Sequence, residues 1–255
     1  MRRFYTLLSR EVRGYFYSPI AYVVLVFFLI VGGVDFCIPI VGVLSYMNGH
    51  PYAYTVPEAF FNSGLFWFVF ILSFPLITMR LFAEEFKLGT IETLMTAPVR
   101  DWEVVLSKFF GALIFYITLW LPTLIYFGLF QAVTHQPAFG STGAIWGTYG
   151  ILLLLGAFYI SIGCLASVLT KNQIVAAVIS FVTLVLLFLL GLAPVVTLQI
   201  SSTTRQLLGY FSAVEHMLTF SRGEFDTRPV VLYLSMTIVM LTLTYQAFQA
   251  RKWRL

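Results

Sequence analysis

Asp35 is the acidic residue that falls well inside a long apolar run, in the stretch VGGVDFCIP. A carboxylate at membrane depth can relay protons or ligate a substrate, because hydrocarbon tolerates such a charge only where it is paired or used. The run can also slide, and Gly32, Gly33 and Pro39 can open the helix so that Asp35 meets water on the outward side. Other chemistry is thinly supplied. Cys37 and Cys164 sit in separate apolar runs and His50, His135 and His216 are scattered, so no metal-ligand spacing arises. The two cysteines read as buried small hydrophobes. A G-x-x-x-x-G-K-[ST] phosphate loop is missing, so the chain is not expected to hydrolyse nucleotide itself. Spacing alone places no Ser-His-Asp arrangement.

The densest polar chemistry lies at 79–108, MRLFAEEFKLGTIETLMTAPVRDWEVVLSK, where nine charged residues stand between two long apolar runs. Such a loop is expected to lie in water, where another protein can grip it. Its inner part has the signals of a short helix over 91–97: Gly89 can end one helical stretch, Thr90 can cap the next, Ile91 and Glu92 open it, and Pro98 stops it. Glu84 and Glu85 can pair with Arg80 or Lys87 nearby, or with basic groups on a partner. A merely solvated connector is the plainer reading of the same charges.

The elements that must position these residues are membrane spans. Of the 255 residues 60% are hydrophobic and 10% charged, against about 45–50% and about 25% in soluble domains. Hydropathy gives six spans, 20–44, 62–78, 106–130, 145–169, 174–197 and 229–248. The expected fold is an all-α polytopic membrane protein of six transmembrane helices. Ahead of them, Phe4, Leu7, Leu8, Val12, Tyr15 and Phe16 recur at helical spacing opposite Arg2, Arg3, Arg10 and Arg13. Residues 1–19 therefore read as an interfacial helix ended by Ser18 and Pro19, retained rather than cleaved, with a frayed basic leader as the alternative. Between the fifth and sixth spans, 198–228 is long enough for short helices on or in the outer membrane face, with Phe211, Val214, Met217, Leu218 and Phe220 at helical spacing.

Six spans put both termini on one side. Twelve Lys and Arg fall on the side of the termini and central loop, against Arg205, Arg222 and Arg228 on the other. The positive-inside rule makes the first side cytoplasmic. The basic residues thus follow a membrane pattern, which argues against nucleic acid as a partner. Pro75, Pro122 and Pro194 can kink or end their spans, and the pairs Ala157/Ser161 and Gly163/Ser167 permit close helix approach, whether for internal packing, a dimer seam or a hinge.

Three stretches, REVRGYFYSPIAYVV, PLITMRLFAEEFKLGTIETLMTAPVRDWEVVLSKFFGA and FSAVEHMLTFSRGEFDTRPVVLYLS, occur in that order around six spans. Together they resemble an ABC-2 type permease, most closely the branch containing the gliding-motility permease GldF and the copper-site maturation permease NosY. The resemblance covers nearly the whole chain as one domain, 1–255, and its central motif is the most specific part. It implies a permease subunit, an exporter by resemblance, in a bacterial inner membrane. No cofactor would bind directly, since ATP and Mg would be held by a separate ABC ATP-binding subunit. The other implied partners are a second copy or a related permease, a periplasmic or accessory protein, and membrane lipids. Arg80, Glu84, Glu85, Gly89, Thr90, Glu92 and Pro98 match the family's central pattern for ATPase contact, and Glu215, His216, Arg222, Gly223, Asp226 and Arg228 match its outer pattern. An ATP-driven mechanical or scaffold subunit acting on a periplasmic partner is the alternative. A secondary transporter is less favoured, because it needs charged or broken spans in two matching repeats.

Overall fold

The computed structural model describes residues 2–46, 55–91, 99–135, 142–196 and 209–252. His50, Glu92, Pro98, Arg205, Arg254 and most of the expected helix over 91–97 lie outside the described residues. The described chain is helical throughout. In order, α1 is Arg2–Tyr17, α2 Pro19–Tyr46, α3 Val56–Phe61, α4 Gly64–Thr78, α5 Ala83–Leu88, α6 Asp101–Trp120, α7 Thr123–Thr134, α8 Thr142–Val168, α9 Gln173–Val196, α10 Ala213–Ser221 and α11 Thr227–Lys252.

Among the described residues, six segments are long and apolar enough to cross a membrane: Ala21–Ile38, Gly64–Leu88, Asp101–Val133, Gly143–Val168, Gln173–Ala193 and Thr227–Arg251. They divide into a core and a periphery. In the α8 segment 78% of the apolar window is buried, whereas in the α2 and α11 segments it is 17%. The apolar outer faces of α2, α9 and α11 are therefore left to lipid or to another subunit.

α4 occupies the centre, in contact with α2, α6, α8 and α9. Its sequence GLFWFVFILSFPLIT is apolar all round, as a helix enclosed on every side must be. Phe66, Phe70 and Phe74 form an aromatic ladder along it, with ring centroids 5.5 and 4.9 Å apart, which continues into Tyr116 of α6 and Tyr159 of α8. Such pairs contribute about 0.5–1.5 kcal/mol each beyond area burial.

Two spans differ from the sequence boundaries. α4 has 15 residues, about 22 Å at 1.5 Å per residue, which is short for a bilayer. The turn at Met79–Phe82 and then α5 extend the segment to Leu88. The third span breaks at Leu121–Pro122 into α6 and α7, because Pro122 has no amide hydrogen to continue the ladder. Pro75 stays within α4, and Pro194 within α9.

Gly163 and Ser167 serve packing inside the chain. A Cβ on Gly163 would lie 2.1 Å from Thr78 Oγ1, and one on Gly156 would lie 2.3 Å from the Tyr116 ring. α8 is thus drawn against α4 and α6 at positions where a side chain has no room. Ser167 accepts the Phe82 and Ala83 amide hydrogens at 3.0 and 3.1 Å and donates to the Met79 carbonyl, serving backbone groups freed by the turn between α4 and α5.

Candidate functional site

At the end of the bundle that holds the termini, α1 lies along α6. Phe4, Leu7, Leu8, Glu11, Val12, Tyr15 and Phe16 form its inward face at helical spacing, while Arg3, Arg10 and Arg13 are exposed. Tyr15 stacks on Phe115 with centroids 5.0 Å apart and donates to the Ile77 carbonyl at 2.8 Å. Burial pushes its phenol well above the ordinary value, so it remains a neutral donor. Gly111 lets the helices meet, since a Cβ there would come within 2.9 Å of Glu11 Cβ.

Lys108, only 2% exposed, gathers this end together. Its Nζ lies 3.2 Å from Glu11 of α1 and 3.0 Å from Glu85 of α5, and 5.4 Å from the centroid of the Phe82 ring. Arg10 closes the cluster from the surface, 3.1 Å from Glu11 and 3.2 Å from Glu85. Charges of both signs within a low-dielectric site hold three chain segments in one geometry. The expectation of a loop in water is thereby corrected for the first part of 79–108 and for its end in α6. Leu81, Phe82, Ala83 and Phe86 are buried in the bundle, and Glu85 beside them is paired. The partners differ from those expected too: Glu85 pairs with Lys108 and Arg10, not with Arg80 or Lys87.

Arg80 donates from Nη1 to Ser18 Oγ at 3.1 Å, tying the central stretch to the α1–α2 elbow. Gly89 ends α5 in the left-handed region at φ 71°, and the backbone turns helical again at Thr90 and Ile91, the latter buried. Arg251 of α11 lies 4.7 Å from the Phe86 ring centroid and donates to the Leu169 carbonyl, bringing the last helix and the α8–α9 connection to the same end.

Asp35 belongs to the opposite end, as its place in the outward half of the first span implied, but the reading that it is wetted is corrected. It is 1% exposed, and its Oδ1 accepts the Ser63 hydroxyl at 2.6 Å. Ser63 in turn accepts the Phe66 amide hydrogen at 3.0 Å, so Asp35 orients the cap at the start of α4. Here α3 begins with a capping box between Thr55 and Glu58. The T-V-P-E run carries that signature, which a reading confined to spans passes over. Glu58 also accepts from Arg222 at 3.2 Å, joining α3 to the end of α10.

The outer-pattern residues have separate local jobs. His216 Nδ1 is 2.9 Å from the Tyr233 hydroxyl, Gly223 turns the chain at φ 83°, and Asp226 accepts the Arg228 amide hydrogen at 2.9 Å at the start of α11. Glu215 and the Arg228 side chain are exposed. Burial lowers the His216 pKa from its ordinary 6.5, against the opposing pull of Asp226. A base held neutral in the folded state binds fewer protons than in the unfolded state, so stability falls as pH drops through about 6.5 toward the folded value. Unfolding midpoints measured from pH 7.5 to 5 are expected to fall more in the wild type than in His216→Gln.

Six apolar spans around an aromatic core, with a charged cluster and an amphipathic helix at one end and short capping helices at the other, define a polytopic helical membrane protein. Its family follows from comparison. The family model described as ABC-2 family transporter protein matches residues 20–189, more than half of the chain, and the chain belongs to that family. The matched stretch runs from α2 to α9 and includes the whole central region. Members of this family are membrane components of ATP-binding cassette transporters, which makes the chain a permease subunit that works with an ATP-binding subunit. Among curated proteins none matches the chain.

Proposed function

We propose that the chain is the permease subunit of an exporter in a bacterial inner membrane, with both termini in the cytosol, related to the GldF and NosY branch. Two copies, or one copy and a related permease, form the membrane unit, and ATP and Mg reside in separate ATPase subunits. The Lys108 cluster is the observation that carries this reading. It ties α1, α5 and the start of α6 together beside the place where the chain leaves α5 toward 92–98. A force applied there by an ATPase would be passed to α4 and α6 as one pinned unit.

In this mechanism ATP closes the ATPase pair, the 79–108 regions of both permeases move with it, and the path between the two bundles opens outward. Hydrolysis resets it. Arg80, Glu84, Glu85, Gly89, Thr90, Ile91, Glu92 and Pro98 form or support the ATPase contact, while Glu215, His216, Arg222, Gly223, Asp226 and Arg228 belong to the outer cap. A secondary transporter is disfavoured because Asp35 is engaged in holding α4. Force transmission to a periplasmic partner uses the same lever. Substrate-stimulated ATPase activity would support transport, and dependence on a periplasmic protein would support force transmission.

Gly89→Val tests the lever. Among the described residues nothing lies within 4 Å of a Cβ at Gly89, so the substitution acts through its positive φ. That strain costs about 1–2 kcal/mol, enough to shift the loop's geometry about tenfold in population. ATPase turnover of the assembly is expected to drop to a similar degree while the variant still inserts. Unchanged assembly and turnover in both Gly89→Val and Glu92→Ala would refute the assignment.

A further inference from the structure

Beneath the α1–α2 elbow is a cavity of about 480 Å³, bounded by α1, α2, the end of α4, α5 and α6. Its floor is apolar, made by Val24, Leu76, Ile77 and Phe115 where the spans begin and end, and its rim is charged. It opens to the surface beside Tyr17, which is 82% exposed. Hydrocarbon below and charge above, at the level where an amphipathic helix turns into a span, match the cross-section of a bilayer leaflet at its headgroups.

The charges on the rim are unevenly satisfied. Lys108 is committed to Glu11 and Glu85. Arg80 uses Nη1 on Ser18 and lines the cavity, with no acidic partner among the described residues. Glu85 is committed to Lys108 and Arg10, whereas Glu84, also on the rim, makes no hydrogen bond or ion pair among the described residues. What remains is a guanidinium without an anionic partner and a half-buried carboxylate without an N–H donor, both lining one cavity. A partly buried charge without a partner is poorly solvated, so a complementary ligand gains from supplying one.

We infer that this cavity binds a glycerophospholipid with a primary-ammonium headgroup, phosphatidylethanolamine. The phosphate meets Arg80, the ammonium with its three donors meets Glu84, and the glycerol and upper acyl chains lie on the apolar floor. A headgroup with phosphate alone leaves Glu84 unanswered and is repelled by it. A quaternary ammonium carries charge but has no N–H to donate.

The test is native mass spectrometry of the delipidated full-length protein titrated with phosphatidylethanolamine, phosphatidylcholine and phosphatidylglycerol of matched acyl chains. Phosphatidylethanolamine is expected to bind about tenfold more tightly than either competitor, corresponding to about 1.4 kcal/mol. Glu84→Gln, at a half-buried position without a partner and so compatible with folding, is expected to abolish that preference. Arg80→Gln should weaken binding of phosphatidylethanolamine and phosphatidylglycerol alike. Equal binding of the three lipids by the wild type would overturn the proposal, as would a preference that survives Glu84→Gln. Displacement by soluble glycerophosphoethanolamine at the lipid's own concentration would overturn it as a lipid site. None of these outcomes depends on ATPase coupling.

Discussion

Lys108→Met is expected to destabilise the folded protein by about 3–5 kcal/mol, the usual cost of removing one member of a buried ion cluster. The side chain is replaced by one of similar length, so packing beside Phe82 is largely kept and the loss is electrostatic. Glu11 and Glu85 would face each other with only Arg10 between them, and Arg10 is 53% exposed at the side chain and screened by solvent. Neutralising both acids as well, in Lys108→Met with Glu11→Gln and Glu85→Gln, should recover much of the loss, because no buried charge then stands alone. Denaturant unfolding in mixed micelles reads both effects. If the triple variant is no more stable than Lys108→Met, the cluster acts through shape and not through charge.

Gly163→Ala is the second large effect. The added Cβ would stand 2.1, 2.5 and 2.7 Å from Thr78 Oγ1, Cβ and Cγ2. Thr78 is fully buried and its hydroxyl donates to the Phe74 carbonyl at 2.8 Å, so it cannot turn aside cheaply. Overpacking of this kind costs about 1–3 kcal/mol or more, and here it would push α8 away from α4 at the point where Ser167 holds the start of α5. Gly150→Ala is the internal control. It has open space around it and should be neutral, or stabilising by up to about 1 kcal/mol through helix propensity. Thr78→Gly in the Gly163→Ala background should cost less than the sum of the two single changes. Measured additivity would show that the helices do not meet there.

Periodicity and hydropathy made the helical membrane fold legible, because burial in lipid writes itself into runs of about 20 residues. The amphipathic start was legible for the same reason, as a spacing of apolar positions against arginines. Gly89 was readable as a helix end because few other residues adopt a positive φ. The partners were not. Glu11, Glu85 and Lys108 lie far apart along the chain, and a charge pattern sets which residues are polar without setting which of them meet. Asp35 shows the same limit: its position in an apolar run was plain, while the cap it supports depends on Ser63, 28 residues away. The break at Pro122 was an open choice between a kink and an end, decided by packing of α6 against α1 and α8 and of α7 against α2. Gly163 and Ser167 were legible as a close approach, but only contacts with Thr78 and the α4–α5 turn placed them inside one subunit, and Gly156 against Tyr116 was found only in the structure.

The central proposal is that this permease is driven through 79–108 by a separate ATPase. Its most direct test is purification of the tagged protein in mild detergent, with mass spectrometry and an ATPase assay on what is recovered, beside a variant in which 91–97 is scrambled and which still inserts normally. Recovery of an ATP-binding subunit with the wild type, and its loss from the variant, is the expected result. Recovery of the chain alone and without ATPase activity, under conditions that preserve other membrane complexes, would contradict it.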